Sequence, residues 1–178
     1  MRILALAISV VIACLFVRCN KSTTPISGLP EACSHYLGFI DPLSNYRLIV
    51  PTAFTPNGDG KNDIARLQGI NLTNVVYTVA RLNGEVLFES INPFIQGWDG
   101  KDQNGNMATD PLYQVRIRFN SGQRNIDTCS YLYLLTNGGT PGGCIHYGTA
   151  DTSKLVFEDE VDPATGATPF TTAEVLCP

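Results

Sequence analysis

Outside the cysteines, two short stretches hold most of the side chains that could do chemistry. FTPNGDGKND, residues 54–63, gathers Asn57, Asp59, Asn62 and Asp63 around Gly58 and Gly60. A hard cation such as calcium needs several oxygens from one tight loop, and glycine lets the backbone curl until carboxylates and carbonyls converge. WDGKDQNGN, residues 98–106, adds Asp99, Asp102, Asn104 and Asn106. Asp102, Asn104 and Asn106 fit the first, third and fifth positions of a calcium loop, but Met107 stands where such a loop has glycine and no late Glu follows. Turn chemistry is the competing reading of both stretches, because Asn and Asp bond their own backbone and glycine supplies positive φ. Calcium is therefore the candidate cofactor. Asn57, Asp59, Asp63, Asp99, Asp102 and Asn104 are its candidate ligands, provided that the two loops meet at one end of the fold.

The two histidines, His35 and His146, each sit two residues after a cysteine, in CSHY and CIHY. Thiolate and imidazole are zinc's preferred donors, yet in an exported chain thiols oxidise to disulfides first. Catalysis would need a nucleophile beside a base, or an open metal site. Neither G-x-S-x-G nor H-E-x-x-H occurs, so no catalytic residue is assigned and the expectation is a protein that is not an enzyme.

The N-terminus reads as an export signal. Arg2 supplies a positive start, and Ile3 to Ala13 an apolar run. Two cysteines compete for lipidation. Cys14 ends VIAC, which is similar to a bacterial lipobox, whereas Cys19 follows Arg18, a poorer fit. Cysteine parity favours Cys19: Cys14 then leaves with the signal, and Cys33, Cys129, Cys144 and Cys177 remain to pair completely. Four cysteines allow three connectivities. The preferred one joins Cys33 to Cys129 and Cys144 to Cys177, stapling the N-terminal segment to the last domain strand and closing the tail on itself.

Positioning these residues falls to β-structure. Sixteen glycines and eleven prolines in 178 residues disfavour helix. Runs rich in β-branched and aromatic residues follow one another between turn signals: 46–52, 75–82, 85–90, 112–119 and 129–135, with a further candidate at 154–158. Asn83-Gly84 separates two of them and predicts a type I′ hairpin turn. In LYQVRIRF, Tyr113, Val115, Ile117 and Phe119 share one face, while Gln114, Arg116 and Arg118 share the other. The predicted fold is an all-β, Ig-like antiparallel sandwich. Trp98, the sole tryptophan, is expected in its core. Without the first nineteen residues, which hold two arginines and no acid, the formal charge moves from −4 to −6. No basic stripe remains to follow phosphates, which argues against nucleic-acid binding. The acidic run at 157–162 reads as a solvated face.

IVPTAFTPNGDGKND, GEVLFES and WDGKDQNGN occur in this order at 49–63, 84–90 and 98–106. Together they resemble the gliding-motility-associated C-terminal domain of Bacteroidetes, the type B sorting domain of the type IX secretion system. The resemblance implies an Ig-like sandwich, export across the outer membrane, and recognition by secretion or surface-attachment machinery. It divides the chain into a signal with a lipidated cysteine (1–19), a linker and N-terminal segment (20–47), the domain (48–135), and a Gly-rich linker with an acidic, cysteine-containing tail (136–178). With little besides the signal upstream and about forty residues downstream, the expectation is an anchored component rather than a passenger tag. That component is a non-catalytic lipoprotein of the outer membrane or cell surface, on either its periplasmic or its extracellular face. It binds a partner protein complex of the type IX secretion, gliding or surface apparatus through the strand edge near 129–135 and the loops 54–63 and 98–110. The alternatives are a glycan-binding lipoprotein associated with nutrient uptake and a type IX secretion substrate.

Overall fold

The structure, a computed structural model, describes residues 33, 38–41, 46–136, 145, 155–162, 171, 172 and 174. Both lipidation candidates, Cys19 and Cys14, both histidines and the Cys144–Cys177 pairing lie outside the described residues.

Among the described residues, eight strands form two sheets: β1 (Gly38–Asp41), β2 (Tyr46–Ile49), β3 (Ala53–Phe54), β4 (Gln68–Ile70), β5 (Thr73–Ala80), β6 (Val86–Ser90), β7 (Leu112–Ser121) and β8 (Arg124–Leu134). The smaller sheet runs β1-β2-β4 and the larger β3-β8-β7-β5-β6. Every pairing is antiparallel except that of β3 with β8. The described residues contain no α-helix, and the fold is the expected all-β sandwich.

Alternation along β7 builds the core. Tyr113, Val115, Ile117 and Phe119 are buried and meet Val75, Tyr77 and Val79 of β5 and Leu132 of β8. Tyr46 and Leu48 of β2 close the same cluster from the other sheet, with Tyr46 edge-on to Phe119 at 5.5 Å between ring centroids. Burying each such side chain contributes about 1.5–3 kcal/mol.

The opposite face of the larger sheet is not uniformly wet. Gln114, expected to point outward, does so but is buried, because Cys33 is disulfide-bonded to Cys129 on the same face. The Gln114 side-chain amide reaches the Cys33 sulfur at 2.8 Å. The Cys33–Cys129 pairing belongs to the connectivity preferred from the sequence, with Cα atoms 5.1 Å apart. A cross-link closing so long a loop stabilises by about 2–4 kcal/mol.

Several local expectations are corrected. The β5–β6 hairpin exists, but Asn83 does not take positive φ, so its turn is not type I′. Arg81 donates its amide to Glu85 and accepts from Gly84, both at 2.9 Å, and Gly84 alone takes φ 90°. This is the three-residue loop of a type I turn followed by a left-handed glycine. Residues 155–157 belong to no described strand, although Phe157 is extended, and a 3-10 turn follows at Glu158–Glu160. In the acidic run Phe157 and Val161 are buried, so it is a half-buried strap rather than a solvated face. The strand edge at 129–135 is covered at Tyr133 and Leu134 by β3.

Candidate functional site

The loop after β3 is organised by its own side chains. Thr55 donates its amide to the Asn62 carbonyl at 2.9 Å and closes the loop at its base. Asn57 and Asp59 each accept, through Oδ1, the amide two residues on, those of Asp59 and Lys61, both at 2.9 Å. Asp63 sits at the centre, where Oδ1 accepts from the Gly58 amide at 2.6 Å and Oδ2 from the Gly60 amide at 2.7 Å. Gly58 and Gly60 take φ of 80° and 87°, a region that L side chains rarely adopt, so their amides turn inward to the carboxylate. The alternation of Asx and Gly in the sequence is what this geometry requires.

The second loop begins at a bridge between Ala65 and Trp98, whose amides exchange hydrogen bonds at 2.9 and 3.0 Å. Trp98 is fully buried, edge-on to Tyr113 at 4.7 Å and tilted against Phe54 at 5.2 Å. Its indole N–H donates to the Lys101 carbonyl at 2.7 Å. From there residues 101–107 form a small hairpin, in which Asp102 Oδ1 accepts from the Asn104 and Asn106 amides at 2.8 and 2.9 Å. Asp99 accepts from the Lys101 amide at 3.1 Å and pairs with its ammonium at 2.9 Å.

The electrostatics follow these bonds. Asp102 is held below the usual carboxylate range, first by the Asn106 amide and then by that of Asn104. Burial pushes Asp99 up, but the hydrogen bonds from Lys101 outweigh it and the net shift is downward. Asp127 is lowered mainly by its hydrogen bonds with Arg116 on the neighbouring strand. Tyr113 is pushed up to about 12 by burial, and its hydroxyl oxygen accepts the Asp110 amide at 2.8 Å. Asp110 in turn pairs with Arg81, fastening the connection before β7 to the end of β5.

The two loops do meet. A Cβ on Gly100 would lie 3.0 Å from Pro56, so the second loop's backbone rests on the first. Their carboxylates are nevertheless directed at backbone amides within each loop, and among the described residues no three His, Cys, Asp or Glu side chains are grouped to hold a metal ion. Of the six candidate ligands, Asn57, Asp59, Asp63, Asp99 and Asp102 accept from the main chain, while Asn104 contributes its own amide to Asp102. Both loops are thus held in shape by hydrogen bonds from their own side chains to their own backbone.

Four residues that matter here were not singled out from the sequence. Arg66 pairs with Glu158 at 3.4 Å, and Glu174, buried, accepts from the Thr55 hydroxyl at 2.5 Å and from the Asn62 side-chain amide at 3.4 Å. Partners separated by 92 to 119 positions leave no local signal.

No curated protein matches the chain. Residues 48–134, which span both loops and strands β3 to β8, match the family model of the CHU_C type IX secretion signal domain. With the signature loop and the Trp98 loop placed on one sandwich, residues 48–134 are a member of that domain family, and the chain that carries them is a type IX secretion-related protein of the cell surface.

Proposed function

We propose that the protein is a non-catalytic, lipid-anchored module of the outer membrane or cell surface that binds a protein of the type IX secretion, gliding or surface-assembly apparatus. The internal bonding of the 54–63 loop carries this reading. With both Asp63 oxygens engaged by the Gly58 and Gly60 amides, the loop offers a fixed shape rather than open acid/base groups or ligands. A loop already ordered loses little entropy on association, and loops on a rigid scaffold are where recognition concentrates. The anchor is supported by the signal-like Arg2 and Ile3 to Ala13. With Cys33 and Cys129 already joined, acylation at Cys19 leaves Cys144 and Cys177 as an even pair.

The test is mild-detergent purification from the native membrane, followed by mass spectrometry of the mature N-terminus and of co-purifying proteins. An acylated Cys19 and a recurrent outer-membrane partner are expected. A soluble mature chain without acyl groups would refute the anchor.

The family match favours one second reading, a type IX secretion substrate that is processed within its tail. Recovery of a chain cut after the domain would establish it. Glycan binding would call for a row of exposed aromatic side chains, whereas the exposed large apolar residues among those described are Ile64, Ile70, Leu82, Ile91, Ile95 and Met107.

A further inference from the structure

Residues 155–162, 172 and 174 meet the signature loop from a distant part of the sequence. Val156 occupies the free edge of β3: its carbonyl accepts from the Thr52 and Ala53 amides at 2.9 and 3.2 Å, and its own amide donates to Thr52 Oγ1 at 2.9 Å. On either side of it, Leu155 and Phe157 are buried with Ala53, Leu135 and Ile145 in an apolar cluster distinct from the main core. Glu158 then pairs with Arg66, and Glu174 takes hydrogen bonds from Thr55 and Asn62, the two residues whose backbone bond closes the loop. The tail grips the loop at its base.

The geometry points to a peptide-docking groove formed by the β3 edge, the Ala53 and Leu135 patch, and Arg66, which takes an extended segment of the pattern apolar-x-aromatic-acid. Leu155-Val156-Phe157-Glu158 is its occupant in cis, and a partner protein's segment of the same chemistry is its occupant in trans. Main-chain donors on a short strand edge serve any extended peptide, while pockets for alternate side chains choose among sequences. Charge supplies the second filter, because Arg66 attracts an acid one position after the aromatic and repels a base. Since the tail's apolar cluster is separate from the main core, the strap can leave without opening the sandwich. Its departure takes the Asp159 amide from Asn62 Oδ1, where it donates at 3.3 Å, so a seated strap contacts the loop base and a competing segment releases it. The groove does not depend on the lipid anchor or on any particular apparatus.

The test uses the full chain and a fluorescent peptide of residues 153–162. Phe157→Ala in the protein weakens the strap, and the peptide is expected to bind this variant at least ten-fold more tightly than wild type. Amide exchange at Thr52 and Ala53 should quicken while β5 and β7 keep their protection. A peptide carrying Glu158→Arg should lose binding and regain it when the protein also carries Arg66→Glu. If Phe157→Ala costs β5 and β7 their protection, the single variant Arg66→Glu takes its place with the charge-reversed peptide. Unchanged affinity in the variant chains, or equal affinity for both peptides, overturns the groove. A Phe157→Ala dimer in sedimentation would hand the groove to a second copy and overturn the hetero-partner assignment.

Discussion

The Asp63 carboxylate holds the Gly58 amide at 2.6 Å and, through its other oxygen, the Gly60 amide at 2.7 Å. One side chain thereby joins two turns of the signature loop. Asp63→Ala leaves both amides to water and is expected to cost about 1–2 kcal/mol, since hydrogen bonds to a charged group exceed neutral ones but this group is partly solvated. Amide exchange should rise first at Gly58 and Gly60. Unchanged exchange there would show that the turn dipeptides hold the loop without Asp63.

Calcium should leave the protein's thermal midpoint where it is. The carboxylates of both loops already serve backbone amides, so an ion would have to displace those bonds before gaining its own ligands. Melting curves in millimolar calcium and in chelator are expected to superimpose. A rise of several degrees with calcium would mean that the loops rearrange into a shared site.

Trp98 joins core and loop, since its ring packs on Phe54 and Tyr113 while its N–H reaches Lys101. Trp98→Phe removes ring volume and leaves a carbonyl unpaired, and it is expected to cost about 2–3 kcal/mol. Urea denaturation measures this directly, and a loss under about 0.5 kcal/mol would contradict the packing described.

Acid should unfold the protein through three aspartates. Asp99, Asp102 and Asp127 all lie below the ordinary value of 3.8 in the folded state. A carboxyl depressed by folding adds stability above its unfolded value and surrenders it as pH falls through the folded value. The urea midpoint should therefore stay level down to about pH 5 and decline below about pH 4. In Asp127→Asn, which no longer titrates beside Arg116, the decline should be shallower. A midpoint that does not move between pH 5 and pH 3 would remove these groups from the account.

What could be read from the sequence was local. Alternation in LYQVRIRF places Tyr113, Val115, Ile117 and Phe119 inward, and the buried Trp98 and the Cys33–Cys129 link are both expected. β3 and β4, two and three residues long, are too short to carry a period. Asn83-Gly84 marked a turn but not its type, because the Arg81–Glu85 backbone pair lengthens the loop by one residue. The acidic run looked solvated since nothing near it in sequence reveals Arg66, 92 positions away. Gln114 faces outward as its parity demands, and only the distant Cys33 explains why it is dry.

If the ordered signature loop docks a surface partner, co-purification of wild-type and Asp63→Ala chains from native membranes in mild detergent will separate the two chains. The same outer-membrane protein should accompany the wild type and fall at least ten-fold with Asp63→Ala at equal chain recovery. Equal partner yield from both chains, or no recurrent partner with the wild type, would mean that the loop is not the docking surface.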